Sequence, residues 1–290
     1  MFIMIIVTGA SGQLGRMVVK QLLERVPAGQ IGVSVRDANK VKELQERGVR
    51  VREGDYNDEE SLAYAFEGAS QVLIVSSNSL GEEAFQHHRT AIETAIKSGV
   101  QRIYYTSQMG SSGESSFPPM VDHAATERLL QASGRAFTSL RNGFYAGSAI
   151  MMLGDAIQTG ILAAPEDGPV AWTAHSDLAE AAAIAMTEVT LEGITPILTA
   201  SETFDLAGIA ALASKVTGCP IKRVVISDEE YRTGLIAHGL PEERADMFVG
   251  LFQAMRNGEF ARTDDTLARL LGREPIGMKE VLRASLAGRS

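Results

Sequence analysis

Residues 4–15 read MIIVTGASGQLG, and the reading of this stretch decides the fold. Met4, Ile5, Ile6 and Val7 form a continuous apolar run, as expected of a strand covered on both faces by helices. Gly9, Gly12 and Gly15 follow at intervals of three, and a helical pattern over 13–25 begins inside the motif. Gly9 permits a tight turn, Gly12 lets the backbone approach a pyrophosphate, and Gly15 lets the helix pack on the strand. The amides of Gly12, Gln13 and Leu14 would then face phosphate oxygens at the positive end of the helix. Strand, loop and helix in that order raise the triplet above an ordinary glycine-rich turn. Gly9, Ala10, Ser11, Gly12, Gln13, Leu14 and Gly15 are therefore the first candidates for a dinucleotide cradle.

Working outward, β-rich runs at 3–8, 31–36, 49–53, 72–76, 102–107 and 137–141 alternate with helical patterns at 13–25, 39–47, 59–66, 82–97 and 121–132. Repetition at about 30 residues per strand–helix unit implies right-handed crossovers. The fold class is α/β, a doubly wound parallel sheet of the Rossmann type. Residues 1–150 read as the NAD(P)-binding domain, with 176–200 returning to it. Residues 151–290 read as a smaller, mostly helical substrate region. In that half the pattern predicts a helix over 147–159, Asp177 capping a helix over 178–186, and a strand at 196–199. A helix over 205–217, a strand over 222–226 and helices to the end complete it.

The composition is that of an ordinary globular protein, with 45% hydrophobic and 22% charged residues in a chain of 290. A net charge of -9 argues against nucleic-acid binding, which needs a basic face. Cys219 is the only cysteine, so no internal disulfide forms, and a reducing cytoplasm is the expected setting. The apolar opening, 1–7, runs straight into the glycine motif and reads as a buried strand, and no stretch reads as a membrane span. The five histidines lack metal-ligand spacing, so no metal is expected. The oligomeric state stays open.

The ribose-reading position belongs about 20 residues beyond the glycine loop. Arg36 occupies it, with Lys40 a helical turn on, a pair suited to the 2′-phosphate of NADPH rather than to NADH. A register shift of one would put Asp37 there instead. Asp55 and Tyr56 end the third strand, where they would edge the adenine. Ser76, Ser77 and Asn78 end the fourth, near the reversal of strand order where ligands bind. Ordinary turn chemistry explains these small residues equally well.

No tyrosine is followed by a lysine four residues later, so the Tyr-x-x-x-Lys dyad of most short-chain dehydrogenases is absent. His123 and Glu127 stand instead on the helix after the fifth strand. Their spacing suits a hydrogen-bonded pair, and His123 reads either as a proton donor or as half of a surface charge pair. Tyr145 is a second candidate for contact with nicotinamide or substrate, or an aromatic core residue. The serine-rich segment 111–116 reads as a mobile loop over the site.

The loop TGASGQLG, Val35-Arg36-Asp37, Gly54-Asp55-Tyr56 and the LRNGFY segment at 140–145 together resemble the NmrA-like branch of the short-chain dehydrogenase/reductase superfamily. Within it the chain looks most like bacterial type 2 NAD(P)H:quinone oxidoreductases and triphenylmethane reductases. The resemblance implies cofactor contacts from residues 9–14, Arg36, Ser76, Ser77 and Asn78. It implies the same for Arg141, Asn142, Gly143 and Tyr145, and it turns Gln86 toward the quinone or nicotinamide. Members often carry arginine near position 175, where this chain has His175. The implied activity is hydride transfer from NADPH to a quinone-like or triarylmethane-type small molecule. The alternative is an NADP(H)-binding redox sensor without turnover, which the same branch also contains.

Overall fold

A computed structural model describes residues 3–286. The first half runs β1 (Ile5–Thr8), α1 (Gln13–Leu22), β2 (Ile31–Val35), α2 (Lys42–Glu46), β3 (Arg50–Glu53), α3 (Glu59–Phe66), β4 (Gln71–Ile74), α4 (Gly81–Lys97), β5 (Arg102–Gln108), α5 (Pro118–Ala132) and β6 (Ala136–Asn142). Then follow β7 (Phe144–Tyr145), α6 (Ala146–Leu153), α7 (Ala156–Thr159), β8 (Ile161–Ala164), β9 (Trp172–Thr173), α8 (His175–Thr187) and β10 (Gly193–Ile194). The chain continues through α9 (Leu206–Thr217), β11 (Lys222–Val225), α10 (Asp228–Ala237), α11 (Glu242–Arg256), α12 (Thr266–Leu271) and α13 (Met278–Leu286). The helical reading of residues 287–290 lies outside the described residues.

Seven parallel strands form the main sheet in the order β10-β6-β5-β4-β1-β2-β3. Strand order reverses between β1 and β4, so the glycine loop opens at the switch point of a Rossmann sheet. On one face α1 and α8 pack Val18, Val19, Leu22, Leu178 and Ala182 against Ile5, Val7 and Val33. On the other, Phe66, Ile92 and Leu130 from α3, α4 and α5 meet Ile6, Val72 and Tyr105. A third core joins Phe117, Phe144, Trp172, Phe252 and Phe260 under the later helices. Phe144 meets Trp172 edge-on at 5.5 Å between centroids, and the indole N–H donates to the Phe204 carbonyl at 2.8 Å.

Several elements depart from the sequence pattern for local reasons. The helix predicted over 39–47 is a 3₁₀ turn, Ala38–Val41, followed by the short α2, because the Asp37 carboxylate caps Asn39. The helix predicted over 147–159 breaks at Gly154, whose φ of 50° stops α6. Residues 196–199 do not form a strand; only Leu198 bridges to Asn142, and the edge strand is β10. Asp177 caps nothing. The helix starts at His175 with Ala174 as its N-cap. Asp177 is fully buried in the first turn, accepting from Arg273 Nη2 at 2.9 Å and from the Ile276 amide at 2.6 Å.

Candidate active site

The glycine loop is built as its residue types require. Gly9 has a φ of 62°, and its amide donates to the Ser34 carbonyl at 3.0 Å. A Cβ on Gly15 would sit 2.5 Å from the Gly9 oxygen, and one on Gly12 3.3 Å from it. The Gly12 amide is engaged, donating to Gly9 O at 2.9 Å. Gly12 is the N-cap of α1 without a side-chain cap, so the free first-turn donors are Gln13, Leu14 and Gly15, one residue later than the sequence suggested. Ala10 is buried and packs inside, while Ser11, Gly12 and Gln13 form the exposed crest.

At the end of β2, Arg36 is exposed, and no acid partners it or Lys40 among the described residues. The Asp37 carboxylate turns back onto Asn39, accepting from its amide at 3.0 Å and its side chain at 3.2 Å. Arg16 of α1 closes this corner, donating to the Lys40 carbonyl at 2.8 Å and pairing with Glu43 at 2.8 Å. Asp55 is likewise held locally by Asn57. Tyr56 lies under the glycine loop: its hydroxyl donates to Val75 O at 2.7 Å and meets Thr8 Oγ1 at 2.6 Å, and burial raises its pKa.

Two histidines that the sequence reading set aside as non-ligands brace the β4 end. The Ser77 amide donates to His88 Nε2 at 2.9 Å, and Ser77 Oγ meets His87 Nδ1 at the same distance. The Ser76 amide donates to Thr106 Oγ1 at 2.8 Å. Asn78 is held from the second half by Arg244 on its carbonyl at 3.0 Å. His88 is 1% exposed, and burial lowers its pKa to about 3, so it is neutral and a fixed acceptor for Ser77. Gln86 lies in the second turn of α4, half-buried, and its amide bonds to Glu82.

His123 and Glu127 do not pair. The Tyr105 hydroxyl meets His123 Nδ1 at 2.7 Å, and burial lowers the histidine pKa to about 4, against an opposing pull from Glu127. Burial also raises the Tyr105 pKa, so the phenol keeps its proton and donates. A neutral imidazole N–H is a far weaker acid than an imidazolium. Glu127 turns to the sheet instead. Its Oε1 accepts from Ser107 Oγ (2.8 Å), Ser139 Oγ (3.1 Å) and Arg141 Nε (3.0 Å), and its Oε2 from Arg141 Nη2 (2.7 Å) and Ser111 Oγ (3.0 Å). Burial pushes its pKa up, but the donors outweigh it and hold the carboxyl below its ordinary value.

After β6, Gly143 is demanded by packing, since a Cβ would lie 2.1 Å from Thr173 Oγ1. Asn142 is 1% exposed and its Oδ1 has no partner. The Tyr145 ring stacks on His175, centroids 4.3 Å apart, and burial lowers the His175 pKa. The serine segment is pinned: Ser115 Oγ bonds to Glu259, and the Ser116 amide donates to the same carboxylate at 3.2 Å. No group of histidine, cysteine or carboxylate side chains among the described residues could hold a metal ion, and no described helix is long and apolar enough to cross a membrane.

Glu127 and the two bracing histidines were missed as site-forming residues. The signal available was the β5–β6 register, which pairs Ser107 with Arg141 beside a helix bearing a glutamate.

A glycine cradle at the switch point of a Rossmann sheet, with this LRNGFY turn, defines the class of dinucleotide-binding proteins without the Tyr-x-x-x-Lys dyad. The chain belongs to the NmrA-like family, whose model matches residues 3–274. It is 34% identical over 278 residues to quinone oxidoreductase 2 of Escherichia coli K12, covering 96% of each chain. Over 288 residues it is 28% identical to an NAD(P)H azoreductase of Xenophilus azovorans, covering 98% of each. Its structure superposes on an NADPH-dependent quinone oxidoreductase of Escherichia coli, solved with NADPH, with a TM-score of 0.91 at 31% identity, covering 98% of this chain and 100% of that one. Citrobacter sp. triphenylmethane reductase, solved with NADP(H), gives a TM-score of 0.90 at 33% identity, covering 97% and 100%.

Proposed function

We propose that the protein is an NADPH-dependent reductase that delivers a hydride to a quinone-like or triarylmethane-type small molecule. The observation that carries it is the β2 end: Arg36 and Lys40 are exposed and unpartnered beside the cradle, while Asp37 is committed to Asn39. That arrangement suits a 2′-phosphate, with Asp37 Oδ1 taken up by Asn39. The free amides of Gln13, Leu14 and Gly15 suit the pyrophosphate. Ser76, Ser77 and Asn78, with Ser77 braced by His87 and His88, suit the ribose of the nicotinamide half, with Asn142, Gly143 and Tyr145 behind it. Gln86 and the region 151–290 would border the acceptor. The relatives solved with NADPH and NADP(H) support the same reading.

Bound NADPH supplies a hydride. The residues present align the acceptor and exclude water, and alignment alone carries much of the rate for so good a hydride acceptor. The proton for a reduced quinone would come from solvent, with no protein acid required. The test is NADPH oxidation followed by absorbance with a panel of quinones and a cationic triarylmethane dye. Acceptor-dependent turnover upholds the reductase. Tight NADPH binding without turnover against any acceptor overturns it in favour of a redox sensor.

A further inference from the structure

We propose that Glu127 is a positioning residue that makes Arg141 an oxyanion-binding group for carbonyl acceptors; this rests on the reductase reading above. The ion pair is lopsided. Glu127 is 3% exposed at its side chain and Arg141 26%. The guanidinium uses Nε and Nη2 on the carboxylate, and among the described residues Nη1 has no protein partner. The part of the pair that reaches the surface is therefore a cationic N–H donor. It stands at the carboxyl end of β6, in register with Ser107 at the end of β5, the side of the switch point beyond β4. Ligands in such sheets gather at these strand ends.

Glu127 does more than neutralise a charge. Three hydroxyls, Ser107, Ser111 and Ser139, fill its remaining acceptor positions and lock its orientation, and the bidentate fork fixes the guanidinium plane. A buried ion pair seldom stabilises a fold more than apolar side chains of the same size would. A donor held rigid before the reaction, however, is what a developing anion requires.

The chemistry selects among acceptors. A quinone takes the hydride with both its electrons from the reduced nicotinamide. With the hydride bonded to one quinone oxygen, the π electrons shift to make the ring aromatic and leave the charge on the opposite oxygen. This aryloxide accepts a hydrogen bond from Arg141 Nη1 before taking a proton from water. A triarylmethyl cation takes the hydride on carbon and becomes neutral, so it gains nothing from an oxyanion donor. The Glu127–Arg141 pair thus favours quinone-like carbonyl compounds over cationic dyes.

The test compares Glu127→Gln and Arg141→Lys with the parent protein. Quinone turnover should fall by roughly a hundredfold in kcat, the scale of one lost oxyanion donor. At saturating NADPH, dye reduction should fall far less than quinone turnover, so the ratio of the two rates drops in both variants. Without turnover, 4-nitrophenolate should bind the NADP⁺ complex of the parent protein and lose affinity in both variants. Quinone turnover at parental level overturns the proposal. So does a common loss of quinone turnover, dye turnover and NADPH affinity, which would make Glu127 a structural brace. A parent protein that reduces the dye but no quinone overturns it and leaves the reductase standing. NADPH binding without turnover of either acceptor overturns both.

Discussion

At the scale of single residues, the proposed preference for NADPH turns on which of two neighbours is free. Arg36 has no partner and Asp37 has two bonds to Asn39, so Arg36→Ala should weaken NADPH binding by about 1–3 kcal/mol, the scale of a charged hydrogen bond. NADH affinity should barely move, and fluorescence titration with both nucleotides checks it; equal losses would remove the 2′-phosphate assignment. The cradle glycines differ in tolerance. Gly15→Ala drives a methyl to 2.5 Å from the Gly9 oxygen, an overpacking cost of roughly 1–3 kcal/mol in thermal melts, with cofactor binding impaired. Gly12→Ala meets that oxygen at 3.3 Å and should be milder. A reversed order would show that helix packing does not set the loop.

Among the elements, α4 and α5 carry the pH response. His88 and His123 have folded pKa values depressed to about 3 and about 4, below the ordinary value of about 6.5. The unfolded chain therefore takes up protons first. Stability is fully present above that ordinary value and is lost as pH falls toward the folded values, by at most about 1.4 kcal/mol per pH unit for each histidine. Denaturant melts between pH 7 and 4 should show this slope, reduced in His88→Asn; an unchanged slope would mean the histidine is not held neutral. The parallel strands were legible in the sequence because both faces are buried and their apolar runs are unbroken. The glycine loop was legible because its residue types are demanded by backbone geometry. The α8 start was not, because Asp177 obeys a distant partner, Arg273, rather than the local capping preference. For the same reason Glu127 was read toward His123, four residues away, when its partners lie on β5, β6 and the loop leading from β5 to α5. Local periodicity does not reveal which way a side chain faces across a sheet.

For the whole molecule, the buried Asp177 carboxylate fastens the chain after α12 to the Rossmann face through Arg273 and the Ile276 amide. Asp177→Ala leaves the amide without its acceptor and should cost about 1–3 kcal/mol in chemical denaturation, with NADPH affinity retained. Loss of affinity along with stability would show that this fastening also shapes the cleft. The single tryptophan offers a way to watch these transitions. Trp172 is 1% exposed, bonded through its indole N–H, and stacked edge-on against Phe144, the neighbour of Tyr145. Its emission reports from one place in the chain, in the core beneath the later helices. That light should be blue in the native state, shift red when this core opens, and be quenched by energy transfer if NADPH binds as proposed. The fold has in effect installed its own optical gauge in that core.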